Sequence, residues 1–293
     1  MKVLVTGGSG FIGKNLRTFL APRYDLLAPT RRELDLLDGA AVSRFLRESH
    51  PDAVVHAATT PGHRNAPPAP DLAARNLRMF LNLFENRADW GRLVVLGSGL
   101  EYDPRAFFPK MKEEDLGRSV PEDPTGLSKL ACARIGRGDP RIVHLLPFGV
   151  FGPHEDWEIR FISNAVCKAL FDLPITIRQN RRFDYVWVGD LVRVVEHFLD
   201  APSRAHDLFN VTPDAAVELK DLARLVLDVC GKDLPVVVAQ DGMGPEYSGD
   251  NARLRAEIPG FTFRPLRDAV MELRDWYRAN TGLVRREALL VDK

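Results

Sequence analysis

Val3-Leu4-Val5-Thr6-Gly7-Gly8-Ser9-Gly10-Phe11-Ile12-Gly13 begins three residues into the chain. Val3, Leu4 and Val5 are an apolar run, which predicts a short strand covered on both faces. Gly7, Gly10 and Gly13 then recur at intervals of three. Phe11, Ile12, Leu16, Phe19 and Leu20 continue with the period of an amphipathic helix. In a strand–turn–helix each glycine has a separate use. Gly7 permits a tight turn. Gly10 leaves backbone bare where a Cβ would keep a pyrophosphate away. Gly13 lets the helix lie close to the strand. The unpaired N–H groups and the dipole at the helix start favour a diphosphate. A glycine triplet alone is a weak signal; between a first strand and an amphipathic helix it is much stronger. The competing reading is an ordinary glycine turn.

The 293 residues suit one large α/β unit or two lobes sharing an interface. Lys+Arg and Asp+Glu both number 40, so the formal charge is zero and nothing points to a nucleic acid or a membrane surface as partner. Cys132, Cys167 and Cys230 are far apart and odd in number. They give no metal-ligand spacing and no disulfide framework, which fits a reducing, cytoplasmic setting. No apolar run is long enough to span a bilayer, and the direct entry into the glycine turn argues against a signal peptide.

The stretch 6–13 resembles the nucleotide-binding turn of the extended short-chain dehydrogenase/reductases, the family of nucleotide-sugar epimerases, dehydratases and 4-ketoreductases. The likeness covers nearly the whole chain. It implies a Rossmann-type doubly wound parallel sheet with a smaller C-terminal α/β lobe for substrate. The boundaries it implies are 1–152 for the dinucleotide domain, with 183–202 returning to it, and 153–293 for the substrate lobe. It implies an NAD(P) cofactor touched by Gly7, Gly10, Phe11, Ile12 and Gly13. It also implies a nucleoside-diphosphate sugar as substrate and a homodimer through the helices at 71–87 and 124–137.

Residues 24–28 read as the second strand. An acidic residue near its end would bind a ribose 2′-hydroxyl, but Pro29, Thr30, Arg31 and Arg32 follow. A guanidinium suits a 2′-phosphate, so Arg31 favours NADP(H), with NAD(H) still open. A solvated basic loop is the rival reading. By resemblance, Asp35 and Leu36 meet the adenine, in a segment similar to that of GDP-fucose synthases. Asp38 is a natural cap for a helix from residue 40. Residues 53–58 form a third strand. The family's small residues at its end line the dinucleotide, which carries to Ala57 and Ala58, while His56 reads as a core histidine. His63 and Arg64 belong to a Pro-rich loop, and Asn76 reads as structural.

The fourth strand, 93–96, runs into Gly97-Ser98-Gly99-Leu100-Glu101-Tyr102. This resembles the family stretch with the catalytic Ser/Thr, placing Ser98 on the sugar oxygen being oxidised or reduced. The 4,6-dehydratases carry Asp-Glu directly after it. Gly99 and Leu100 stand here, which argues against water elimination. Residues 123–129 depart further. The family motif is Tyr, three residues, Lys, and i, i+4 spacing sets both on one helix face. Lys129 matches the lysine that holds the nicotinamide ribose, but Thr125 occupies the tyrosine's place. A phenol titrates near about 10; an aliphatic hydroxyl has no such accessible ionisation. Tyr102, Glu101, or a water held by Ser98 and Thr125 are alternative proton carriers. Binding without turnover is the other alternative.

Residues 142–154 resemble the strand that closes over nicotinamide, with Pro147 and Phe148 bounding that pocket. Gly149 replaces an Asn found in many members, and His154 reads as exposed. Residues 181–192 resemble the family's Arg-Asp-Phe-x-x-Val-x-Asp stretch, with the diphosphate arginine falling on Phe183. Arg160, Arg178 and Arg182 are therefore the candidate substrate clamps, with a solvated basic face as the rival. Asp190 is expected to cap a helix at 191–199.

Overall fold

The structure is a computed structural model and describes residues 1–60, 69–201 and 203–291. His63 and Arg64 lie outside the described residues. The strands are β1 (Lys2–Thr6), β2 (Asp25–Leu27), β3 (Ala53–His56), β4 (Arg92–Leu96), β5 (Ile142–Pro147), β6 (Val150–Phe151), β7 (Ile175–Asn180), β8 (Arg182–Phe183), β9 (Val186–Trp187), β10 (Leu208–Val211), β11 (Val217–Glu218) and β12 (Val236–Met243). The helices are α1 (Phe11–Leu20), α2 (Gly39–Ser49), α3 (Leu72–Glu85), α4 (Pro124–Gly136), α5 (Phe161–Leu170), α6 (Val188–Asp200), α7 (Leu219–Cys230), α8 (Ala252–Glu257), α9 (Leu266–Ala279) and α10 (Arg286–Leu289).

Six strands make one parallel sheet in the order β10-β5-β4-β3-β1-β2. The apolar runs of β1, β3, β4 and β5 are buried along almost their whole length, because helices cover both faces. On one face Val3, Val5, Leu16, Leu20, Leu191 and Val195 pack together, joining α1 and α6 to the sheet. On the other, Leu4, Val42, Leu46, Phe80 and Leu83 join α2 and α3. The fold is therefore the doubly wound Rossmann type. The chain order reverses beside β1, and a crevice for ligand is expected at the strand C-termini there.

The sixth strand, β10, and helix α6 both belong to this sheet's core, although they follow residue 152. A separate core joins α5, α7 and α9 with the paired β7 and β12, through residues such as Val166, Leu222, Val226 and Leu273. This is the smaller lobe.

Several local readings meet their physical cause. Asp38 caps α2 by accepting from Ala41 N at 3.0 Å. His56 is buried, 2.9 Å from Thr6 Oγ1 through Nδ1, and burial pulls its pKa down to about 3, so it is a neutral core group. Asn76 accepts from Thr60 N at 2.7 Å and reaches Ser128 Oγ at 3.3 Å, tying α3 to α4. Asp190 is a correction. The helix begins earlier, at Val188, so Asp190 falls inside its first turn and caps nothing. Its carboxylate accepts from Arg264 N at 2.7 Å and Arg193 Nη1 at 3.1 Å, fastening α6 to the segment before α9.

Candidate active site

The glycine turn forms as its spacing demands. Gly7 has φ +72°, a left-handed conformation costly for other residues. A Cβ on Gly7 would lie 2.7 Å from Ala58 Cα, and one on Gly13 only 2.0 Å from Gly7 O. These two glycines let β1, β3 and α1 approach one another. Gly10 differs: a Cβ there would meet only Gly7 O, at 3.4 Å. Its other side is open, and it sits at the N-cap of α1 with no side-chain cap satisfying the helix's first N–H groups. That is a bare, donor-rich cradle of the kind a diphosphate fits. Ala57 and Ala58 border it, since the Gly7 backbone rests on theirs.

Arg31 is exposed after β2 and lies 3.5 Å from Asp35, another exposed group. Asp35 also turns back to accept from Leu37 N at 3.0 Å. Leu36 is buried with the α2 and α3 residues. The stem of Arg17 lies 3.2 Å from the position a Gly8 Cβ would take, which places a further basic residue beside the turn.

The chemistry lies at the end of β4. Ser98 caps a single 3₁₀ turn, its Oγ accepting from Leu100 N at 3.1 Å. Its own N–H donates to Glu101 Oε1 at 2.9 Å. Glu101 is fully buried and also takes His144 Nε2 at 2.9 Å, so the carboxylate ties the turn to β5. Lys129 on α4 reaches under the same loop. Its Nζ donates to Leu96 O at 2.7 Å and Gly97 O at 3.1 Å. Burial lowers its pKa, while the nearby Glu101 carboxylate works the other way. Thr125 lies one turn earlier, in the first turn of α4. There Gly126 abuts Leu100, and a Cβ would fall 2.3 Å from Leu100 O. Ser98 and Lys129 therefore meet at the β4 loop, against which the first turn of α4 packs.

Two alternative proton carriers are removed by their surroundings. Tyr102 is buried and donates to Asn210 Oδ1 at 2.9 Å. Glu101 is committed to Ser98 N and His144. Phe148 lies beside the same loop. It is fully buried, and a Cβ on Gly99 would lie 2.8 Å from its ring. The ring therefore packs against the Ser98–Gly99 loop. Pro147, the last residue of β5, is buried as well. Gly149 has φ +38°, and a Cβ there would strike Asp184 O at 2.2 Å, so the backbone leaves no space for the family's asparagine.

The three arginines separate. Arg160, at the N-cap of α5, is near enough to Tyr247 to favour its phenolate electrostatically. Arg182 pairs with Glu218 at 3.3 Å. It points to the face opposite Phe183, because successive strand residues alternate, and Phe183 is the one that faces Tyr247, with ring centroids 5.3 Å apart. Arg178 is exposed on β7. The structure thus brings one of the three, Arg160, toward the β4 loop.

Sequence reasoning did not single out Tyr247. An added Cβ on Gly99 would lie 2.3 Å from the Tyr247 hydroxyl oxygen. The ring packs against Phe148, Phe107 and Phe183 at 4.9, 5.2 and 5.3 Å between centroids. The two residues are remote in sequence, so no local spacing could have signalled the pair.

A bare glycine turn at the end of β1 with a Ser–Lys pair at the end of β4 is the arrangement of dinucleotide-dependent oxidoreductases and epimerases. Residues 3–212 match the model of the NAD dependent epimerase/dehydratase family, and the chain belongs to that family. It is 33% identical over 262 residues to a GDP-L-fucose synthase of Azorhizobium caulinodans, covering 78% of this chain and 81% of that one. It is 32% identical over 255 residues to a GDP-L-colitose synthase of Yersinia pseudotuberculosis, covering 79% and 82%. Among solved structures, a Campylobacter jejuni GDP-mannoheptose C4 reductase with NADP bound superposes with TM-score 0.80 at 21% identity, covering 94% of this chain and 98% of that one. A Naegleria fowleri GDP-L-fucose synthetase bound to NADP gives TM-score 0.82 at 16% identity, covering 97% and 95%.

Proposed function

We propose that this protein is an NADP(H)-dependent reductase of a keto carbon on a nucleoside-diphosphate sugar, with the 4-keto form of a GDP-sugar as the leading substrate. The single observation that carries this is the convergence of Ser98 and Lys129 on one loop at the end of β4, in the sheet whose β1 ends in the bare Gly10 cradle. Gly99 and Leu100 offer no acid–base pair for dehydration. The curated relatives' names, GDP-L-fucose synthase, GDP-L-colitose synthase and GDP-6-deoxy-D-mannose reductase, point the same way.

The residues present fit a dinucleotide. The turn at 7–13 would hold its diphosphate, Ala57 and Ala58 would border it, and Arg31 would meet a 2′-phosphate. When bound, the reduced nicotinamide supplies the hydride. An ammonium has three donors, and Lys129 commits two of them to Leu96 O and Gly97 O, which leaves one for a ribose hydroxyl. The Ser98 hydroxyl would donate to the substrate carbonyl, polarising it, while its lone pair keeps the bond from Leu100 N. Arg160 would meet the substrate diphosphate.

The test is NADPH oxidation by the purified protein with GDP-4-keto-6-deoxy-D-mannose, and with UDP- and dTDP-4-keto sugars as comparators. No oxidation with any of them sinks the reading. A second reading, cofactor binding without turnover, rests on Thr125 alone. Tight NADPH binding with no gain in any assay after Thr125→Tyr would favour it. The same proposal places the protein in a reducing cytoplasm, consistent with three buried free thiols. It also pairs two copies through α3 and α4, where Leu127 and Ile135 are exposed; light scattering reads that state.

A further inference from the structure

Carbonyl reduction needs a proton as well as a hydride, and the family's usual phenol is absent at Thr125. A phenol nevertheless stands at the reacting loop. Tyr247, in the segment between β12 and α8, has its hydroxyl directly over Gly99, the residue after Ser98. Any residue but glycine at 99 would displace it. Its position is fixed from every side. The ring is held by Phe148, Phe107 and Phe183. Its backbone donates to Arg182 O and accepts from Asp184 N, both at 2.9 Å. Gly249 gives Phe148 its space, since a Cβ there would lie 2.8 Å from that ring.

We propose that Tyr247 is the general acid of this site, taking from the C-terminal segment the role that the α4 tyrosine plays elsewhere. This rests on the keto-reductase reading above. As the hydride reaches the carbonyl carbon, the C=O π pair moves onto oxygen. That oxygen, polarised by Ser98, takes its proton from the Tyr247 hydroxyl beside Gly99; the resulting phenolate is reprotonated from solvent. No other reactant is consumed. Burial holds the phenol in its protonated form, ready to donate. Arg160 eases formation of the phenolate, while Asp184 and Glu101 oppose it.

The experiment measures kcat with saturating NADPH and GDP-4-keto-6-deoxy-D-mannose, and NADPH affinity by fluorescence, for the unaltered protein, Tyr247→Phe and Thr125→Tyr/Tyr247→Phe. Tyr247→Phe keeps the aromatic packing. Its kcat should fall about 100-fold or more, as expected for loss of a general acid, with NADPH affinity within about threefold. The double variant should recover at least about tenfold of that loss, which a merely structural role would not allow. A kcat within about threefold after Tyr247→Phe overturns the inference while the reductase reading stands. So does a fall that the second phenol cannot restore. No turnover by the unaltered protein removes both. If Tyr247→Phe does not fold, 3-fluorotyrosine at 247 keeps ring and hydroxyl but alters acidity. A changed kcat at unchanged NADPH affinity supports the inference, and an unchanged kcat overturns it.

Discussion

Gly10 and Gly13 sit three residues apart in one turn, yet substitution by alanine should damage different properties. At Gly13 the new methyl would be placed 2.0 Å from Gly7 O and 2.7 Å from Gly7 C and Gly8 Cα. That is roughly 1 Å or more short of ordinary contact. All three are backbone atoms, so no side chain can swing away. Helix α1 must retreat from β1. Leu16 and Leu20 then lose contact with the sheet, and the bond from Asn15 Nδ2 to Pro153 O, 2.9 Å long, is strained. Overpacking of this kind costs about 1–3 kcal/mol, or a fall in Tm of about 2–5 °C at this chain length. At Gly10 the methyl meets only Gly7 O at 3.4 Å, with φ −79° and ψ 177° open to any residue. Folding stability should move by less than about 0.5 kcal/mol. The methyl would stand where a diphosphate must lie, so NADPH affinity should drop about 30-fold, near 2 kcal/mol. Thermal melts without ligand and NADPH titration by calorimetry separate the two. The reasoning is refuted if Gly10→Ala lowers Tm as much as Gly13→Ala, or binds NADPH like the unaltered protein.

Two further substitutions test the interior. Tyr102→Phe leaves Asn210 Oδ1 buried without its 2.9 Å donor, so urea unfolding should show a loss of about 1–3 kcal/mol; a change below about 0.5 kcal/mol would mean that Asn210 finds another partner. Glu155 is buried, with its Oε2 accepting from Ser163 Oγ at 2.5 Å, and burial pushes its pKa from 4.5 up to about 8. Between those pH values the folded state keeps a proton that the unfolded state has released. The group therefore makes stability decline as pH rises through this window, by at most about 1.4 kcal/mol per pH unit. Glu155→Gln removes that decline, so its urea midpoint should gain on the unaltered protein from pH 5 to pH 8; parallel curves would show that Glu155 titrates normally.

What the sequence made legible was local. The strand–turn–helix at 2–20, the cap at Asp38 and the strand-end Ser98 depend on neighbours within a few residues, and each forms where its spacing places it. Asp190 misled for an equally local reason. An acid before a run of apolar residues looks like a cap, but the helix starts at Val188, and Arg264, far along the chain, captures the carboxylate. Phe148 follows Pro147 at the end of a strand that resembles the cover of a nicotinamide, and only the folded chain shows that Gly99 and Gly249 leave bare the space its ring fills.

The glycines around Ser98 explain why a threonine at 125 need not signal a dead site. Gly97 leaves no space for a side chain, because a Cβ would fall 2.2 Å from Glu101 Oε1 and 2.3 Å from His144 Nε2. That contact lets the buried Glu101–His144 pair grip Ser98 N from the sheet side. Gly99 clears the opposite side for the Tyr247 hydroxyl, and Gly249 makes space for the ring that supports it. Three bare positions thus surround one serine, and each is filled by a polar group or by the aromatic ring that backs one. A loop that had lost its chemistry along with its tyrosine would have no physical need for such clearance at Gly99. Alanine there would relieve backbone entropy in the unfolded chain, a gain of about 0.4–1 kcal/mol wherever the native conformation allows it. Gly99 is compatible with retained chemistry because its bareness gives space to a phenol.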